Sequence, residues 1–300
     1  MRDVSRGAAE GQSEVALQMR YLDDVVRYYE QTRFDYWAVW QTRENLAFHF
    51  GYYDDHVANH RQAVSNTNGV LADIAGVGPG DRVLDAGCGL GGSSLWLASH
   101  RRAEVVGITP VAHQVYKARQ VAASRGLQDK ACFEQADYTA TPFSDASFDV
   151  VWALESLCHA RHKLAFYREA FRLLRPGGRL VIAEYIRKSR ALSADSEMRM
   201  REWLDGWSIP DLDTREEHLA AATAAGFAEA RLSDSTHLTR RSLRRLYKLA
   251  CLATPVDWLL YALGLRSKTQ HGNVVASLRQ YQLLRGDAWF YGILSGRKPS

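Results

Sequence analysis

The run Asp85-x-Gly87-x-Gly89-x-Gly91 is where the chain first spells out a binding chemistry. A glycine-rich turn after a strand is a weak mark by itself, because many nucleotide sites and unrelated loops contain one. The carboxylate ahead of the first glycine narrows it. A dinucleotide site brings a pyrophosphate to the next helix N-terminus and wants no anion in front of it, whereas a ligand carrying an ammonium and a sulfonium gains from one. The glycines let the backbone approach an amino-acid-like ligand without a Cβ in the way, and Asp85 orients the loop or reaches the ammonium through water. Glu155 and His159, in Leu154-Glu155-Ser156-Leu157-Cys158-His159, are rival acid–base groups. Each has a plain alternative: Glu155 caps a helix or pairs with Arg161, and His159 is a satisfied buried histidine. Cys158 reads as packing.

The elements that must position these groups follow from periodicity. Strands are expected at Arg82 to Asp85, Glu104 to Ile108, Ala131 to Ala136, Phe148 to Ala153, Arg179 to Tyr185, Glu229 to Ser235 and Ala288 to Ser295. Between them the pattern predicts helices at Ser93 to Ser99, Pro110 to Arg125, Lys163 to Leu174 and Thr214 to Ala225, with the turn Arg175-Pro176-Gly177-Gly178 closing the third. A long helical stretch is expected from about Thr239 to Leu284. This βαβ alternation selects a mostly parallel sheet with helices on both faces. Ahead of it, residues 1–14 read as disordered and 15–75 as an N-terminal helical lid, aromatic from Leu17 to Trp40, with one amphipathic helix from about Asp55 to Ile74. The core is expected over 76–300, with helical cap insertions at 187–213 and 239–285 on the carboxyl-edge side of the sheet.

Bulk properties exclude several classes. Of 300 residues, 46% are hydrophobic and 11% aromatic, ample for a packed core, and 38 Lys+Arg against 34 Asp+Glu leave only +4, too small a surplus to imply nucleic acid. Cys88, Cys132, Cys158 and Cys251 form no C-x-x-C pair, so neither zinc nor a disulfide framework is expected. No leader-like segment and no apolar run of membrane-spanning length are apparent, which points to a cytoplasmic protein without stable membrane insertion.

The stretch from about Phe48 to Tyr185 resembles the class I S-adenosylmethionine-dependent methyltransferases. Within them it is most similar to the group of sterol, tocopherol and prenyl-diphosphate methyltransferases and cyclopropane fatty acid synthases. The residues carrying the likeness are the glycine run, Gly107-Ile108-Thr109 with Gln114, Asp137 followed by Pro142-Phe143, and Leu174-Arg175-Pro176-Gly177-Gly178. The resemblance implies a Rossmann-like α/β fold and S-adenosylmethionine as cofactor, with S-adenosylhomocysteine as product. It implies that Asp85, Gly87, Gly89 and Gly91 hold the methionine part, Thr109 and Gln114 replace the usual acidic ribose ligand, Asp137 accepts from the adenine amino group and Tyr138 stacks nearby. Tyr21, Tyr28 and Tyr29 resemble lid tyrosines of such enzymes. Glu155 stands where an acidic residue serves the acceptor in the sterol and prenyl-diphosphate enzymes.

Methyl transfer from a sulfonium is a displacement that needs alignment and no metal. An alkene acceptor is left as a carbocation, so aromatic faces and a base are required, and Glu155 is the expected base. Trp203 and Trp207 would face such a substrate together if their segment is helical, or else form the core of the cap. Arg161 and Arg187 flank the expected mouth, where a diphosphate accompanied by Mg²⁺ would need donors, or else belong to a solvated rim. Arg240-Arg241 and Arg244-Arg245 read as a solvated helix face. The expectation is a C-methyltransferase of an apolar isoprenoid or prenyl diphosphate. The alternatives are an O- or N-methyltransferase of a small natural product with His159 as base, a cyclopropane-forming enzyme and a non-catalytic scaffold, and a homo-oligomer is left open.

Overall fold

Val83-Leu84 and Val150-Val151-Trp152 are apolar without alternation, which marks strands covered on both faces. In the computed structural model, which describes residues 21–39 and 45–300, these segments lie in the middle of a seven-stranded sheet. Its strands are β1 (Arg82–Ala86), β2 (Glu104–Thr109), β3 (Ala131–Gln135), β4 (Phe148–Leu154), β5 (Leu174–Arg187), β6 (Ala228–Asp234) and β7 (Trp289–Arg297). Their order is β3-β2-β1-β4-β5-β7-β6, with β1 to β5 parallel and β7 antiparallel to both neighbours. This is the Rossmann-like class I methyltransferase fold.

The helices are α1 (Arg33–Val39), α2 (His60–Ala75), α3 (Gly92–His100), α4 (Ala112–Ser124), α5 (Lys163–Leu173), α6 (Ala194–Gly206), α7 (Arg215–Ala225), α8 (Thr236–Ala262) and α9 (Lys268–Arg285). Residues 21–31 are helical as well. One face of the sheet, with Val83, Val105, Phe133 and Trp152, packs on Leu71 of α2, Leu95 of α3 and Ala118 of α4. The opposite face, with Leu84, Ile108 and Val151, packs on Phe166 of α5 and Ala222 of α7. From β1 the chain moves outward through β2 and β3 and returns on the other side of β1 to form β4. Loops leaving the carboxyl ends of β1 and β4 therefore diverge and open a cleft, as at the switch point of any such sheet.

Three local readings are corrected. The stretch from Thr239 to Leu284 is two helices, because Gly264 (φ +70°) ends one and a Ser267/Gln270 capping box starts the next. The helix expected from Asp55 begins at His60, where the Asn59 side chain accepts from Gln62 N–H. The turn Arg175–Gly178 lies inside β5, since Leu174 already pairs with Phe148 before the register shifts. The expectations for residues 1–14, Leu17 and Trp40 fall outside the described residues.

Gly91 sets how closely the glycine loop packs on β3. Its φ is +83°, and an added Cβ would sit 2.7 Å from the Phe133 ring and 3.1 Å from Ala118 Cβ. Gly91→Ala should cost about 1–3 kcal/mol in stability, from the left-handed backbone and the overlap together. Urea unfolding with an unchanged m-value and a lowered midpoint would verify this.

Candidate active site

At the end of β1 the chain turns through Gly87 in a left-handed conformation (φ +90°), where a Cβ would overlap that of Ser156. The Ser156 hydroxyl donates to Ala86 O at 2.6 Å, so the tips of β1 and β4 are tied together at the floor of the cleft. Asp85 is 2% exposed, and the Ser94 hydroxyl donates to its Oδ2 at 2.5 Å. Burial pushes this carboxyl up to about 6, against the pull of Ser94.

The cleft above this floor has about 820 Å³ of empty space, open mouth included. Asp85, Gly87 and Gly89 line one end, and Thr109, Gln114, Asp137 and Tyr138 line another. Thr109 Oγ1 donates to Gln114 Oε1 at 2.7 Å, which leaves the amide N–H donors of Gln114 for a ligand. Asp137 Oδ1 accepts from Thr139 N–H at 2.8 Å, and Tyr138 O–H donates to Ser156 O at 2.9 Å.

Glu155 occupies the first position after β4 with φ +51°, a backbone conformation that costs a non-glycine residue about 1–2 kcal/mol. Its carboxyl accepts from Phe50 N–H at 2.8 Å, from Tyr291 O–H at 2.8 Å and from Tyr185 O–H. A carboxylate has about four acceptor positions, so three donors leave one unfilled, and Glu155 lines the cleft. Burial raises this group to about 8, with the three donors working the other way. Glu184, close behind, is raised to about 7 by burial, and its oxygens accept from Cys158 N–H at 2.7 Å and Tyr185 N–H at 2.8 Å.

His159 lines the same cleft. Its Nδ1 lies 3.1 Å from Ser208 O, a carbonyl that only accepts, so Nδ1 carries the proton. Nε2 is then the lone-pair nitrogen, 3.1 Å from the Tyr29 hydroxyl. Burial lowers this imidazole to about 4, so it is neutral at physiological pH.

Of the residues singled out in the sequence, Asp85, Gly87, Gly89, Thr109, Gln114, Asp137, Tyr138, Glu155, His159 and Tyr29 meet at this cleft. Others do not reach it. Gly91 packs on Phe133, and Tyr28 O–H donates to Asn273 Oδ1 at 3.0 Å. Tyr21 O–H donates to Ser208 O at 2.9 Å, next to the His159 contact. Trp203 and Trp207 fall on α6 and just past its end, but they pack with Tyr185 and each other in the cap core. Arg187 is not on a rim: it is 5% exposed and paired with Glu197 and Asp211. Arg161 is exposed and away from the cleft lining. Among the described residues no group of three His, Cys, Asp or Glu is placed to hold a metal.

Sequence reasoning missed Tyr185 and Tyr291, which become neighbours only through the β5–β7 register. It also missed His49, which lines the cleft at 5% exposure. His49 Nδ1 lies 3.0 Å from Phe50 O, and its Nε2 has no hydrogen-bond partner. The segment Phe48-His49-Phe50-Gly51 was visible as a break in periodicity, with no signal as to which side chain turned inward.

A family profile described as a methyltransferase domain matches residues 84–182. The chain is 38% identical over 202 residues to 27-O-demethylrifamycin SV methyltransferase of Amycolatopsis mediterranei, covering 66% of this chain and 72% of that protein. It is 31% identical over 219 residues to cycloartenol-C-24-methyltransferase 1 of Oryza sativa subsp. japonica, covering 72% of this chain and 62% of that protein, so it spans under two thirds of the sterol enzyme. Among solved structures, a geranyl diphosphate methyltransferase in complex with GPP and sinefungin matches with a TM-score of 0.73 at 22% identity, covering 93% of this chain and 99% of that one. The chain belongs to the class I S-adenosylmethionine-dependent methyltransferases, and it is related to the sterol C-24 enzymes.

The donor set fits that cofactor: a buried carboxylate beside a glycine loop suits a cationic methionine moiety, and polar groups from β2, α4 and the β3 loop surround the remainder. Two raised carboxyls facing a cation make a linkage prediction. Near pH 7 Glu155, at about 8, is largely protonated, and a positively charged ligand lowers its pKa and releases the proton. Calorimetry in buffers of different ionisation enthalpy should therefore find proton release on S-adenosylmethionine binding, with affinity rising from pH 6 to 8. The uncharged thioether of S-adenosylhomocysteine should release less.

Proposed function

We propose that this methyltransferase methylates an alkene carbon of an apolar, uncharged isoprenoid or sterol-like acceptor, with Glu155 as the base that completes the reaction. In this reading Asp85, Gly87 and Gly89 hold the methionine part of the cofactor, Thr109 and Gln114 the ribose, and Asp137 with Tyr138 the adenine, while Gly91 shapes the loop by packing. The bound cofactor supplies an electrophilic methyl group.

The acceptor alkene uses its π pair to form the new carbon–carbon bond as the carbon–sulfur bond breaks, leaving a neutral thioether and a carbocation on the acceptor. The rings of Tyr29 and Phe48, which line the cleft, supply π faces to that cation. Glu155 then takes the adjacent proton, and the C–H pair restores an alkene. The observation that carries this reading is the Glu155 carboxyl itself. It lines the cleft, is held rigidly by three donors and is pushed up to about 8 by burial, close to the pKa that suits a base at neutral pH.

A diphosphate acceptor receives less support. Arg187 is committed to Glu197 and Asp211, and Arg190 to Asp211 and Glu217, so neither guanidinium is available to a phosphate. Mg²⁺ is accordingly not part of the proposal.

A second reading rests on the Ser208–His159–Tyr29 arrangement and on the rifamycin-type relative. With Nδ1–H fixed on Ser208 O, His159 Nε2 is a neutral base able to take the proton of an acceptor hydroxyl, directly or through Tyr29, as O-methylation of a natural product requires.

One experiment separates them. Glu155→Gln keeps the shape of the side chain and should lower turnover of an isoprenoid alkene by about a thousandfold or more while S-adenosylhomocysteine binding stays within about twofold. His159→Asn should leave that turnover within about tenfold. Product mass gain and S-adenosylhomocysteine release across a panel of alkenes and alcohols are the readouts. Full activity of Glu155→Gln, or turnover confined to hydroxyl acceptors and lost in His159→Asn, would overturn the alkene reading.

A further inference from the structure

The α8–α9 hairpin has a surface that the methyl-transfer site does not use. Residues 236–285 hold nine Lys or Arg and one acidic residue, Asp257. That residue is 4% exposed and is consumed internally, paired with Arg266 Nε at 2.7 Å and His271 Nδ1 at 2.6 Å. The outer surface of the hairpin therefore carries no carboxylate.

Its distal end is apolar. Leu252, Val256, Trp258, Leu259, Leu263 and Leu265 are between 54% and 77% exposed, on the last turns of α8 and the loop that follows. At 100° per residue, Leu252, Val256 and Leu259 continue the same outward stripe that holds Arg241, Arg244 and Lys248 nearer the sheet. Arg240, Arg244, Lys248 and Lys268 are exposed and have no carboxylate within ion-pair distance among the described residues. A hydrophobic tip with tryptophan, with unpaired cations along α8 and at the start of α9, is the arrangement that suits the interface of an anionic bilayer: rings and leucines enter the acyl boundary and cations meet the headgroups.

We propose that the tip of the α8–α9 hairpin docks peripherally on membranes containing anionic lipid. A second copy of the chain fits the surface less well. Tip-to-tip pairing brings the two sets of unpaired cations together, and antiparallel pairing of α8 sets arginines against leucines. No helix among the described residues is long and apolar enough to cross a membrane, so the contact is with one leaflet.

The tip also leads inward. Leu249, Ala253, Val256 and Leu260 line a mainly apolar groove together with Tyr36 and Trp207. The Tyr36 ring packs on Phe48 at 4.8 Å and on Tyr29 at 5.5 Å between centroids, and both of those rings line the catalytic cleft. The Tyr36 ring thus stands between the groove and the catalytic cleft. The docking itself does not rest on the alkene reading, because it is measured without acceptor or turnover.

The test is flotation of the full chain with vesicles of phosphatidylcholine alone and with about 30% phosphatidylglycerol. The chain should float with the anionic vesicles and much less with the neutral ones, and about 0.5 M salt should release it. Arg244→Glu with Lys248→Glu, and separately Leu252→Glu with Leu259→Glu, should each weaken binding about tenfold or more while calorimetric uptake of S-adenosylhomocysteine stays unchanged. Absence of flotation in chain that still takes up S-adenosylhomocysteine overturns the proposal, as does a Leu252/Leu259 double variant that floats as the parent does. A dimer by light scattering that the same double variant converts to monomer would assign the face to self-association instead.

Discussion

The carboxyl of Glu155 is the point on which the site depends. It receives hydrogen bonds from Phe50 of the N-terminal segment, Tyr185 of β5 and Tyr291 of β7, while its own N–H donates to Ala183 O at 2.8 Å. Three separate stretches of chain thus converge on one side chain, with β5 holding the backbone as well, and the positive φ at Glu155 is tolerated because they overdetermine it. Removing the carboxyl would leave three buried donors without their partner, each lost bond worth about 1 kcal/mol or more. The same bonds fix the lid segment against the sheet, since Phe50 N–H has Glu155 as its acceptor and Phe48 lies against Gly89 of the cofactor loop.

A consequence is that the electrostatics of the cleft are tuned by burial more than by pairing. Asp85, Glu155 and Glu184 are all raised, and in each the largest cause is loss of water. His159 and His49 are lowered to about 4 for the same reason. At physiological pH Glu155 is therefore largely protonated while Asp85, at about 6, is largely ionised, and a cation entering the cleft draws a further counter-charge from Glu155 by expelling its proton.

What the sequence revealed divides along local and non-local lines. All seven strands and the cofactor loop were legible, because apolar runs and glycine punctuation are local signals and the parallel order follows from crossover rules. Glu155 and His159 were legible as candidates because both follow a strand end. Their partners were not: Tyr185 and Tyr291 stand opposite each other only in the β5–β7 register, and Ser208 reaches His159 from the far end of α6. Arg187 illustrates the converse. Its position in a basic cluster suggested a phosphate-binding rim, but Glu197 of α6 and Asp211 turn back onto it and bury it, a pairing that composition does not encode. Trp203 and Trp207 did fall on one helical segment, yet the face they share is the one that seals the cap against Tyr185.

The two insertions beyond a minimal sheet then have different physical assignments. The segment between β5 and α7 spends its aromatics inward, on Tyr185 and Trp289, and its charges on one another around Arg187 and Arg190. It therefore acts as a wall. The α8–α9 hairpin buries Leu243, Leu246 and Leu283 near the sheet but leaves Leu252, Trp258 and Leu263 in water at its far end. Exposure of that much apolar surface is unfavourable for an isolated chain, and Arg240, Arg244 and Lys248 of α8 have no carboxylate within ion-pair distance among the described residues. A wall needs neither feature. Both become favourable against a surface that is apolar within and anionic at its edge, so the hairpin extends the role of the cap from enclosing an acceptor to approaching the phase in which an apolar acceptor dissolves.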